Sequence, residues 1–256
     1  MKVFFAEFIG TFILSTSLNF MTDYSNDSQK VNLVEVIIGF FIGLQFSRKI
    51  SGGHLNPAVT LVFYLWETEK NKKKLREVFK EMLLGQICGA LLSPFLSNLL
   101  IGHSLVLKIS TDSNYLGAFI MELLGATVFY LLVLFQASPK HNLTAGDEVI
   151  SSLVICVGLA SGISLAGNES GAGLNPAISL SQNIMTLIYT SNIGALKYTL
   201  IYILAPIGAS YLASSLYDIL NEEPPANPFL EENREQELNE LNQKNIEMDN
   251  KDEKLL

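Results

Sequence analysis

Asn56 and Pro57 stand side by side in a chain that otherwise runs through long apolar stretches. Asn175 and Pro176 repeat the pair 119 residues later (175 − 56 = 119). The segments "SGGHLNPAVT" (51–60) and "GAGLNPAIS" (171–179) share Leu-Asn-Pro-Ala. A polar amide next to a helix breaker constrains the fold strongly, because every backbone N–H and C=O at bilayer depth must find its partner within the protein. Proline is well tolerated in the first turn of a helix, where its missing N–H would have no partner to lose. Each Asn-Pro-Ala therefore predicts the start of a half-helix, not a break within a longer one.

Hydrophobic residues make up 49% of the 256 and charged residues 16%, a balance that suits an integral membrane protein and excludes an ordinary soluble domain. A helix needs about 20 mostly apolar residues to span the hydrocarbon. Six stretches come near that length, at 3–21, 33–50, 78–102, 115–136, 149–167 and 195–220. Two more, 56–66 and 175–187, are too short to cross, and each opens on Asn-Pro-Ala. The first run contains Glu7 and no small-residue cleavage site follows it, so it reads as a retained span and not a signal peptide. The fold class expected is an all-α membrane protein with six transmembrane helices and two re-entrant half-helices.

Basic residues orient this arrangement. "EKNKKKLREVFK" (69–80), together with Arg48 and Lys49, marks cytoplasmic loops, which puts both termini inside and the 22–32 loop outside. Asn26, in Asn26-Asp27-Ser28, is then a glycosylation candidate. The net charge of −8 is local: from Asn221 onward eleven acidic residues face four basic ones, leaving −7 in the tail. The membrane domain (1–220) is thus near neutral, and 221–256 reads as an acidic, disordered cytoplasmic tail. Its ending, Asp252-Glu253-Lys254-Leu255-Leu256, resembles an acidic dileucine sorting signal and suggests a tail-binding or sorting partner. Cys88 and Cys156 lie within apolar runs and read as buried free thiols.

The chain also repeats itself. "AEFIGTF" beginning at Ala6 resembles "MELLGAT" beginning at Met121, pairing Glu7 with Glu122 and Gly10 with Gly125, and "GQICGALL" at 85 echoes "APIGASYL" at 205. Three spans per copy is an odd number, so the second copy (about 111–220) enters the membrane inverted relative to the first (about 1–110). Inverted repeats bring their interrupted helices together at the midplane. Two half-helix N-termini then face each other, each with a dipole worth roughly half a positive charge. Asn56 and Asn175 can donate to a passing oxygen while the dipoles oppose cations. The result is a conduit for small neutral polar molecules.

At these motifs the chain resembles the major intrinsic protein family, the aquaporins and aquaglyceroporins, from Ala6 to Tyr217. The resemblance implies a homotetramer in the lipid bilayer, one pore per subunit, passive flow of small neutral solutes, and no cofactor, metal or catalytic residue. It assigns Asn56, Pro57 and Ala58 to the first pore motif, Asn175, Pro176 and Ala177 to the second, and buried structural roles to Glu7, Glu122 and His54. An outer constriction is implied at Val36, Ile163, Ala172 and Ile178. The last of these is normally arginine in the family. Isoleucine supplies neither its fixed donors nor its permanent charge, so this ring is apolar and is expected to be wider than a filter built with an aromatic and a histidine.

Water, glycerol, urea and hydrogen peroxide all fit this reading. Its alternative is a non-conducting or gated scaffold or junction protein, favoured by the apolar ring. An enzyme is disfavoured because no nucleophile, base or metal-ligand cluster lies near the motifs, and no nucleic-acid partner is expected. The plasma membrane is the default location, with an organelle membrane left open by the tail signal.

Overall fold

Asn32, Asn56, Asn114, Asp147 and Asn175 each cap the helix that follows by accepting a hydrogen bond from its first amides. These polar side chains punctuate the apolar runs and set where each helix begins. The computed structural model describes residues 1–23, 30–67, 69–110, 114–138, 144 and 146–221. The glycosylation candidate Asn26 and the tail from 222 onward lie outside the described residues. Met1–Tyr217 form one compact unit; of the second, Asp218–Leu256, only the last turn of a helix is described.

The elements are α1 (Lys2–Phe20), α2 (Leu33–Ser51), α3 (Pro57–Trp66), α4 (Glu69–Ile101), α5 (Tyr115–Ala137), α6 (Glu148–Ser170), α7 (Pro176–Thr190) and α8 (Thr199–Asn221). Among the described residues five helices (α1, α4, α5, α6 and α8) are long and apolar enough to cross a membrane. The helix α2, as long as α1, carries Glu35 in its first turn and Arg48 and Lys49 in its last. The two short helices, α3 and α7, each start with proline directly after an asparagine cap. A pair of two-residue strands, β1 (Thr22–Asp23) and β2 (Lys30–Val31), joins α1 to α2 in antiparallel register.

Three details differ from the sequence reading. The basic stretch 69–80 is not a loop but the opening of the 33-residue α4, because lysine, glutamate and arginine are good helix formers and no glycine or proline interrupts them. The last span starts at Thr199, not 195, since Ile193–Leu196 form a 3-10 turn first. Cys156 is buried as expected, whereas Cys88 lies on an exposed face of α4, where an apolar run is turned outward.

The repeat sets the packing. A Cβ on Gly43 would stand 2.7 Å from the Gly10 carbonyl oxygen, and a Cβ on Gly162 would stand 2.6 Å from that of Gly125. Only glycine allows α1 to cross α2, and α5 to cross α6, this closely. Both crossings lie directly beneath a leucine of the re-entrant loops, Leu55 in one and Leu174 in the other.

Candidate functional site

The segment between Ser51 and Asn56 leaves α2 through Gly52 in the left-handed region (φ 96°), and the segment after Ser170 leaves α6 through Gly171 (φ 82°). Gly53 and Ala172 follow at φ 69° and 53°, and Leu55 and Leu174 at φ 52° and 43°. The two loops thus share a backbone trace residue for residue. Non-glycine residues held there cost about 1–3 kcal/mol each, so the surroundings must hold the turns in place.

Two buried carboxylates do so. Glu7 accepts hydrogen bonds from the Ser51 hydroxyl, the His54 amide (3.1 Å), the Leu55 amide (2.7 Å) and the Gln86 side chain (2.8 Å). Glu122 accepts from the Ser170 hydroxyl (2.6 Å) and the Gly173 (2.6 Å) and Leu174 (2.9 Å) amides. Both side chains are fully buried. Each carboxylate therefore satisfies loop amides that could not otherwise be buried at this depth.

Held in this way, the loops present Asn56 and Asn175 to each other. The Asn56 side chain accepts from the Ala58 amide (2.8 Å) and donates to the Leu174 carbonyl (2.9 Å). Asn175 accepts from the Ala177 amide (3.1 Å) and donates to the Leu55 carbonyl (2.8 Å). Each asparagine caps its own half-helix and ties down the opposite loop. Pro57 and Pro176 occupy the first helical positions, and Ala58 and Ala177 are buried directly behind them. His54 stacks on Phe63 (centroids 4.4 Å apart, 11° between planes) and its Nδ1 lies 3.1 Å from the Thr60 hydroxyl.

Two small cavities share His54, Phe40 and Phe129, and the asparagines border one of them. One, of about 40 Å³, is bordered by Val36, Ile163, Ala172 and Ile178 together with Asn56 and Asn175. The four ring positions and both motif asparagines thus share one space. The other, of about 50 Å³, is bordered by Arg48, Gly52, Gly53, His54, Val133 and Ile155. At roughly 10–15 Å³ of such space per water, each has room for a few water molecules. Of the ring residues, Val36 and Ile178 are buried, at 1% and 3% exposure. A third cavity of about 430 Å³ opens where α3 ends, beside Glu67 and Lys74, and meets the second at His54 and Phe63.

Sequence reasoning overlooked several contributors. Phe40 and Phe129 border both small cavities and pack edge to face, centroids 5.8 Å apart; they read only as apolar residues of their helices. The Tyr130 hydroxyl donates to the Leu174 carbonyl (2.9 Å), and Gln86 bridges Glu7 to Thr60. Ser51 and Ser170 could have been found, since Ser-Gly precedes Asn-Pro-Ala at the same spacing in both loops.

Long apolar helices with two half-helices meeting N-terminus to N-terminus define an integral, multi-pass membrane protein of the re-entrant-loop class. The sequence matches the major intrinsic protein family over residues 1–217, and the chain belongs to that family, whose members are membrane channels and not enzymes. It is 29% identical to "Glycerol uptake facilitator protein-like 6" of Lactiplantibacillus plantarum over 230 residues, 87% of this chain and 100% of that protein. It is 27% identical to an aquaglyceroporin of Plasmodium berghei over 236 residues, 85% and 89% of the two chains. The crystal structure of the aquaglyceroporin from Plasmodium falciparum superposes with a TM-score of 0.67 at 22% identity, covering 85% of this chain and 95% of that one, a likeness of fold.

Proposed function

We propose that the chain is a passive channel for water and small neutral solutes of the size of glycerol, urea or hydrogen peroxide. Flow runs past Val36, Ile163, Ala172 and Ile178, through the gap between Asn56 and Asn175, and out beside His54. The observation that carries this reading is the single cavity shared by all four ring residues and both asparagines. Its relatives' names point the same way, one to glycerol uptake and one to water and glycerol together. The assembly is proposed to be a homotetramer with both termini cytoplasmic, in the plasma membrane by default.

With Ile178 in place of the family's arginine, the ring offers no side-chain hydrogen bond to water. Discrimination then falls to width and to the asparagine amides. The test is light scattering on vesicles carrying the protein, with matched water, glycerol and urea gradients, for the native chain and Ile178→Arg. Solute flux in the native chain that narrows toward water in the variant supports the ring assignment. Permeability no higher than that of empty vesicles in both forms sinks the channel reading. A gated or scaffold role is favoured by one feature, the Phe40–Phe129 contact between the two cavities, because apolar constrictions can close by expelling water.

A further inference from the structure

We propose that Arg48 supplies the fixed positive charge of the conduit at its inner end, in place of the arginine missing from the outer ring, and sets its charge selectivity. The inference rests on the channel reading above. Among the described residues bordering the two small cavities, Arg48 is the one that carries a formal charge. It borders one cavity with the loop glycines Gly52 and Gly53 and with His54, and His54, Phe40 and Phe129 also border the cavity that holds the two asparagines.

The group is fixed in place. Its Nη1 donates to the Glu148 carbonyl (3.0 Å) and the Ser152 hydroxyl (2.9 Å), and its Nη2 donates to the Ser151 hydroxyl (2.7 Å). All three acceptors are neutral. The Glu148 carboxylate is taken up by Lys49 at 3.4 Å, and the Asp147 side chain is turned onto the amides of Val149 and Ile150. The guanidinium thus has no carboxylate in hydrogen-bond contact, although the Glu148 carboxylate, shared with Lys49, acts on it through space. A guanidinium has five N–H donors, and these bonds engage three of them. The remaining walls, including Phe40, Leu44, Phe129 and Val133, are apolar, and in such surroundings a unit charge is felt over several ångströms. A cation entering from this end meets the charge before it reaches the half-helix dipoles, while a neutral solute gains a donor.

The test uses the full chain in sealed vesicles, reading water flux by light scattering and proton flux by an interior pH dye under an imposed potassium diffusion potential. Arg48→Gln retains an amide for the Ser151 and Ser152 hydroxyls but removes the charge. The ratio of proton to water flux is expected to rise about tenfold or more. Arg48→Lys, which keeps the charge, is expected to stay near the native ratio, and adding Ile178→Arg to Arg48→Gln is expected to return the ratio toward native. Arg48→Ala repeats the measurement in case the glutamine side chain binds elsewhere. A native chain that conducts water, with both neutral variants within twofold of its ratio, overturns the inference and leaves the channel reading standing. If the native chain conducts no water, the channel reading fails and this inference fails with it.

Discussion

Glu7 and Glu122 illustrate why a charged residue persists in a span where it is costly. Every partner of either carboxylate is a donor, and most are amides of turns that no helix can satisfy. Replacing Glu122 with leucine strands the Gly173 and Leu174 amides, at roughly 1–3 kcal/mol for each buried donor left unpaired, while the Ser170 hydroxyl keeps the Ala166 carbonyl. Glu122→Leu is thus expected to lose most of its monodisperse peak on size exclusion in detergent, with Glu122→Gln intermediate. A leucine variant that elutes and melts like the native protein would show that the loop is held by packing alone. Both glutamates were legible in the sequence because the repeat pairs them. Arg48 and Phe40 were not, because neither residue type nor spacing shows which face of a helix lines a path.

The half-helices make the case at the level of elements. The proline after each asparagine fixes where α3 and α7 start, and the asparagine serves both as cap and as tie to the opposite loop. Asn56→Asp keeps the cap acceptor and loses the donor to the Leu174 carbonyl, whereas Asn56→Ala loses both. Cap loss alone costs about 0.5–2 kcal/mol. The thermal midpoint in detergent is therefore expected to fall in the order native, aspartate, alanine; an alanine variant as stable as native would mean that the cap bond contributes nothing. Where α5 crosses α6, Gly162→Val must displace the Gly125 carbonyl, an overpacking cost of about 1–3 kcal/mol. The same thermal measurement should record it as a lower midpoint.

At the scale of the whole molecule, two leucine carbonyls, two carboxylates and two asparagines close one symmetric knot, and the proposed path runs through its centre. The Phe40–Phe129 pair borders both cavities and packs edge to face. Phe40→Val is expected to raise glycerol flux several-fold more than water flux in vesicles, since a single-file water gains less from added width. Equal rises in both fluxes would place the limiting step at the Val36 ring instead. Chemical cross-linking of the purified protein is expected to give species up to four copies, and a ladder ending at two would contradict the proposed tetramer.

The sequence by itself determined the class of protein. Apolar run lengths gave the spans, the odd number of spans per repeat required inversion, and Asn-Pro-Ala marked helix starts that backbone chemistry tolerates only around a buried or wet centre. These are properties of local spacing, which a linear chain displays directly. Tertiary structure alone decided the rest: that each asparagine donates to the other loop, that Val36, Ile163, Ala172 and Ile178 border one cavity with both asparagines, and that Arg48 borders the neighbouring one. Each of those depends on which helix faces meet, and that is set by the close glycine crossings and the loop anchors acting together. No single stretch of sequence contains both sides of such a contact.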